Sequence, residues 1–143
     1  MSHDPMPSGK DVIRALSGLR LLVVEDDALV RKVIVRTAVD CGVEVEEAAD
    51  GDMATALIAR NEYDVVLTDL KMPGVSGLDV MDRVRATHPS TALIVITGFA
   101  QSDIEERVSS CGGFLLHKPF NLAALIDALR WAQEQRAKAA AQE

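Results

Sequence analysis

In the stretch "TDLKMPG" (68–74), Asp69 comes two residues after the apolar run Val65, Val66, Leu67. Such a run belongs inside a hydrophobic core, where an ionised carboxylate is costly unless something binds it. Other polar residues stand in equivalent places. Glu25 and Asp26 follow Leu21–Val24, Thr97 follows Leu93–Ile96, and Lys118 comes just beyond Phe114–Leu116. Carboxylates brought together around a small volume repel one another, and a hard divalent cation with a preference for oxygen resolves the repulsion. Mg²⁺ suits this role, because it uses few protein carboxylates and keeps open positions for water and phosphate oxygens. With the metal neutralising some oxygens and Lys118 and Thr97 binding others, Asp69 is expected to act as a nucleophile toward a phosphoryl group, giving an aspartyl phosphate.

That chemistry requires distant segments to meet at one edge, and the apolar pattern supplies the means. The runs Leu21–Val24, Val65–Leu67, Leu93–Ile96 and Phe114–Leu116 are short, continuous and mostly branched, as in strands buried on both faces of a parallel sheet. Val43-Glu44-Val45-Glu46 alternates instead and reads as an edge strand. Segments with a period near 3.6 lie between: Ala28–Val39, Met53–Ala59, Leu78–Val84, Ile104–Val108 and Leu122–Ala132. Strict alternation with short connections predicts right-handed crossovers and an α/β, doubly wound, five-stranded parallel sheet. All five polar positions then fall at the carboxyl ends of strands, where open α/β sheets bind ligands. Ser102-Asp103-Ile104-Glu105 fits a capping box, and Asn121 precedes the last apolar stripe as a cap. Glu25-Asp26-Asp27, taken alone, also fits a helix N-terminus favouring negative charge, with Asp27 as the cap.

Composition sets the limits. A chain of 143 residues with 48% hydrophobic residues suits one domain with one core. A formal net charge of -7 argues against direct binding to nucleic acid, which calls for Lys and Arg gathered on one face. The longest apolar runs fall far short of the roughly twenty residues of a membrane span, and "MSHDPMPSGK" lacks the apolar centre of a signal peptide, so a soluble, cytoplasmic protein without membrane contact is expected. Residues 1–18 read as a flexible leader in which Val12, Ile13 and Leu16 offer a short helical turn, and 134–143 as a fraying helical tail. Cys41 and Cys111, each followed by glycine at a helix end, read as buried structural thiols.

Four stretches together, "LLVVEDD" (21–27), "VVLTDLKMPGVSGLDV" (65–80), "VITG" (95–98) and "HKPF" (117–120), resemble the receiver domain of two-component response regulators over about residues 19–133. The resemblance implies a flavodoxin-like (βα)5 fold with strand order 2-1-3-4-5. It matches Asp69 to the phosphoacceptor, Asp26 to the direct Mg²⁺ ligand, Glu25 to a second acidic residue acting through water, and Lys71 to the position donating a backbone carbonyl to the metal. Thr97 matches the switch hydroxyl and Lys118 the phosphate-binding lysine, while Pro119 matches a proline whose peptide bond is commonly cis and Gly77 the turn glycine. The chain departs from the family at Leu115, where a Tyr or Phe usually rotates inward as the threonine moves; Phe114, one residue away, is expected on the opposite face. His117 reads as a packing or solvent-facing neighbour, and Trp131, off the Leu122, Leu125, Ile126, Leu129 stripe, as packing at the core edge.

The function this implies is a phosphorylation-controlled signalling switch that accepts a phosphoryl group from a histidine kinase or histidine phosphotransfer protein. It would signal to a downstream protein through the face of the fourth helix, fifth strand and fifth helix, with movement of Thr97 and the loop from Gly98 through Ala100 to Gln101. Such a receiver phosphorylates and dephosphorylates itself rather than turning over a substrate. A stand-alone domain is expected because no output segment follows residue 133; a module of a larger hybrid kinase or multidomain regulator is the alternative. A phosphohydrolase of the haloacid-dehalogenase type is a more distant reading, since Lys71 stands where those enzymes carry a second aspartate. A phosphate-independent pseudo-receiver is disfavoured because no acidic, hydroxyl or lysine position is missing.

Overall fold

The computed structural model describes residues 16–98 and 101–141. Strands and helices alternate among them: β1 (Arg20–Val24), α1 (Ala28–Asp40), β2 (Glu44–Ala48), α2 (Gly51–Arg60), β3 (Val65–Asp69), α3 (Gly77–Thr87), β4 (Ala92–Thr97), α4 (Ser102–Ser110), β5 (Phe114–His117) and α5 (Leu122–Ala141). The strands form one sheet in the order β2-β1-β3-β4-β5, every pair parallel. The expected fold class and strand order are both present.

The apolar runs are continuous because each strand feeds two cores. Leu21, Val23, Val65, Leu67, Ile94 and Ile96 pack on one face with Ile34 and Ala38 of α1 and Leu125 and Leu129 of α5. Leu22, Val24, Val66, Leu93 and Val95, one residue out of step, pack on the other face with Ala54 and Ile58 of α2, Val80, Met81 and Val84 of α3, and Val108 of α4. β2 lies at the sheet edge as read, but its burial does not alternate cleanly, Val45 and Glu46 both being half-buried; it begins one residue later and runs to Ala48, whose side chain enters the second core.

Caps set the helix starts. Asp27 Oδ1 accepts hydrogen bonds from the Leu29 and Val30 amides at 2.9 and 3.2 Å, and Asn121 Oδ1 accepts from the Ala124 amide at 2.8 Å, as expected for both. The capping box expected at Ser102 is not formed: Gln101 occupies the cap position of α4 without a side-chain bond, so Ser102 is already helical. The capping box lies instead at α3, between Ser76 and Asp79. Cys41 and Cys111 close their helices ahead of Gly42 and Gly112, which take φ of 86° and 69°. Both thiols are free; Cys41 is buried, whereas Cys111 is only half-buried.

Leu16 is buried and joins the core with Leu19, so packing reaches into the expected leader, while Val12 and Ile13 lie outside the described residues. At the other end α5 continues unbroken past residue 133 to Ala141, and Arg136 Nε donates to Asp64 Oδ1 at 3.0 Å. Trp131 is half-buried against Phe114, their ring centroids 5.3 Å apart at 45°, the core-edge packing expected of it. Phe114 sits on the α1/α5 face and Leu115 on the other, as the alternation requires.

Candidate functional site

Parallel register brings the polar residues together. Asp69, the last residue of β3, lies beside Ile96 of β4; Thr97 follows it and lies beside His117 of β5. The Lys118 amide continues the ladder by donating to the Thr97 carbonyl at 2.8 Å, and the Glu25 amide does the same toward Ala48 of β2 at 3.1 Å. Glu25, Asp69, Thr97 and Lys118 therefore extend from four strand ends at one edge of the sheet. The Lys118–Pro119 peptide is cis. His117 is exposed.

Glu25, Asp26 and Asp69 each offer a carboxylate oxygen, and these lie within 4.8 Å of one another. Their settings differ. Glu25 is fully buried, Asp69 is 7% exposed, and Asp26 is open to solvent. The Lys118 ammonium joins the two buried carboxylates, donating to Asp69 Oδ2 at 2.9 Å and to Glu25 Oε1 at 3.2 Å. Burial pushes the Glu25 carboxyl up to about 7, and the neighbouring Asp69 carboxylate pushes the same way against the pull of Lys118. Burial lowers the Lys118 ammonium, but hydrogen bonds to and charges on Asp69 and Glu25 more than offset it, so the lysine stays protonated more firmly than an ordinary one. The Lys118 ammonium thus bonds two of the three carboxylates.

This donor set fits a hard divalent ion. All three groups are oxygen donors, and Glu25 Oε2 is buried with no hydrogen-bond partner, the kind of orphaned acceptor that a cation or its water would satisfy. The loop beyond Asp69 is held close. The Lys71 amide lies 3.4 Å from Asp69 Oδ1, the Thr68 hydroxyl donates to the Asp69 carbonyl at 2.9 Å, and the Gly77 amide donates to the Leu70 carbonyl at 3.0 Å. A side chain at Gly77 has no room: its Cβ would overlap the Asp69 carbonyl oxygen and stand 2.8 Å from Leu70 Cα. The glycine at this position is thus required by close backbone approach rather than by a positive φ.

Sequence reasoning passed over one contact. Arg31, in the first turns of α1, donates through its guanidinium to the Glu25 carbonyl at 2.7 Å, while its Nε reaches Glu47 of β2 at 3.3 Å. A signal existed in its spacing, since a residue one turn into a helix points back toward the N-terminus. The companion Glu47 could be placed only once β2 had its register.

Known proteins match this chain and its fold. The family model for the response regulator receiver domain matches residues 21–130. Transcriptional regulatory protein TcrA from Mycobacterium tuberculosis is 34% identical over 118 residues, covering 80% of this chain and 46% of the relative, so the chain spans about half the length of such curated relatives. Among solved structures, chemotaxis protein CheY4 from Vibrio cholerae aligns with a TM-score of 0.74 and 29% identity over 80% of this chain and 98% of that one. The receiver domain of sensor histidine kinase PA1611 from Pseudomonas aeruginosa PAO1, with a magnesium ion coordinated in its active site cleft, aligns with a TM-score of 0.72 and 30% identity over 82% and 99%.

Proposed function

This chain belongs to the response regulator receiver domain family, and on that premise we propose that it is a signalling switch whose phosphoacceptor is Asp69. The observation that carries the reading is the convergence of Glu25, Asp26 and Asp69 within 4.8 Å, with Lys118 bonded to the two buried members.

Glu25, Asp26, Asp69 and the Lys71 carbonyl would hold Mg²⁺, which when bound supplies positive charge against the phosphoryl oxygens. The protein's own residues supply the rest. A carboxylate oxygen of Asp69 forms the new P–O bond as the P–N bond of a phosphohistidine breaks, and the bonding pair returns to the imidazole of the donor kinase or phosphotransfer protein. Lys118, already 2.9 Å from Asp69, is placed to exchange that contact for one to a transferred oxygen. The Thr97 hydroxyl, on the neighbouring strand end, would bind another oxygen, and the loop from Gly98 to Gln101 would move with it; Phe99 and Ala100 of that loop lie outside the described residues.

In this reading the change reaches a downstream protein through α4, β5 and α5, without the aromatic rotation usual at the position of Leu115, and residues 19–133 form the receiver, working in the cytoplasm. Among the described residues no helix is long and apolar enough to cross a membrane. Beryllofluoride, a mimic of the phosphoryl group, tests the site: with Mg²⁺ it should shift amide resonances at 25–27, 69–71, 97–101 and 118. Unchanged Mg²⁺ affinity in Asp26→Asn would count against the assignment.

A further inference from the structure

Every polar handle of Glu25 but one is gripped. Its amide donates to Ala48 of β2, its carbonyl accepts from Arg31 of α1, and its Oε1 accepts from Lys118 beyond β5. Only Oε2 is left without a partner. The side-chain contact fixes the carboxylate, but the peptide joining Glu25 to Asp26 is held by Arg31, and the orientation of that peptide sets where the solvent-exposed Asp26 carboxylate points. Arg31 can do this because its planar guanidinium presents donors in fixed directions. One side of it bonds the Glu25 carbonyl at 2.7 Å, and Nε bonds Glu47 Oε1 at 3.3 Å. Glu47 is paired in register with Val23 near the end of β1, so the guanidinium is anchored to the sheet as well as to its own helix.

We propose that Arg31, anchored by Glu47, is a positioning residue that aims the Glu25–Asp26 pair at the cation site; the assignment rests on the metal-dependent phosphoacceptor reading. The bland alternative is an ion pair that merely ties α1 to β2 near the surface, where the Arg31 and Glu47 side chains are 20% and 52% exposed. The two roles differ in the sign of one effect. A fixed positive charge beside a cation site repels the cation, so if Arg31 acted by charge alone, removing it would tighten Mg²⁺ binding. If it positions the ligands, removing it loosens binding, and lost outer partners of metal ligands typically cost about ten- to a hundredfold in affinity.

Calorimetric Mg²⁺ titration of wild type, Arg31→Ala, Arg31→Lys and Glu47→Gln, with amide spectra of each, reads this directly. Arg31→Ala should raise the Kd about tenfold and lose the Mg²⁺-induced shifts at 25–27 while keeping those at 69. Arg31→Lys, which keeps the charge but not the fork, should remain loosened severalfold, and Glu47→Gln about threefold. Unchanged or tighter binding in Arg31→Ala, or wild-type affinity in Arg31→Lys, overturns the positioning role while leaving the site reading intact. A wild type that binds no Mg²⁺ overturns the site reading and this role with it. Should Arg31→Ala fail to fold, Glu47→Gln decides at an exposed side chain, where an unchanged Kd overturns the proposal.

Discussion

Replacing Glu25 by glutamine keeps the shape of the most deeply buried carboxyl of the site and removes its charge. In the folded protein this carboxyl titrates at about 7, against its ordinary 4.5, chiefly through burial. A raised acid favours its protonated form in the fold. Its contribution to stability is therefore intact below about 4.5, is lost as pH rises from 4.5 through 7, and is level above that window. At about 1.4 kcal/mol for each tenfold change in proton affinity, the gap bounds the loss at about 3 kcal/mol. Lys118 is already part of that balance, since its contact at 3.2 Å opposes the rise. Urea unfolding of metal-free wild type and Glu25→Gln at pH 5 and pH 8 separates this carboxyl from every other titrating group. The stability advantage of Glu25→Gln should grow by about 1 to 3 kcal/mol between the two pH values. Saturating Mg²⁺ should close the gap, because a ligand at a hundred times its Kd adds about 2.7 kcal/mol to the wild type. A difference between the variants that does not change with pH, or that shrinks as pH rises, would refute the buried, proton-holding Glu25.

Three further outcomes are expected. Mg²⁺ affinity of the wild type should fall as pH drops below 7, because the ion must displace the proton of Glu25, and calorimetry in buffers of different ionisation heat should detect that proton's release. Asp69→Asn and Asp26→Asn should each raise the apo melting temperature by a few degrees by relieving like-charge crowding, and a clear drop would count against it. Gly77→Ala should destabilise by about 2 kcal/mol or more in denaturant unfolding, since the added methyl has only the Asp69 carbonyl and Leu70 backbone to displace; a change within about 0.5 kcal/mol would mean that the loop is looser than its contacts indicate.

The site was legible in the sequence wherever a residue's place on a strand decided its position. Glu25, Asp69, Thr97 and Lys118 each end or follow an apolar run, and a parallel sheet carries all such ends to one edge. What depends on tertiary contact was not. Nothing in the adjacent Glu25 and Asp26 ranks one as fully buried and the other as exposed, because that depends on how the chain leaves β1. The contact of Arg31 with Glu47 needs β2 in register, and two alternating glutamates fix that register only weakly. The Ser-x-x-Glu pattern at Ser102 predicts a capping box that does not form, whereas Ser76 closes with the shorter Asp79; side-chain type alone does not say where the first helical turn begins.

The role of Asp69 is tested most directly by intact-mass spectrometry after incubation with acetyl phosphate or a phosphorylated histidine kinase. With Mg²⁺ the wild type should gain one acid-stable, base-labile phosphoryl group, EDTA should prevent it, and Asp69→Asn should gain none. Equal labelling of wild type and Asp69→Asn would remove Asp69 from the mechanism, and a wild type that takes no label from any donor would contradict phosphoacceptor function altogether.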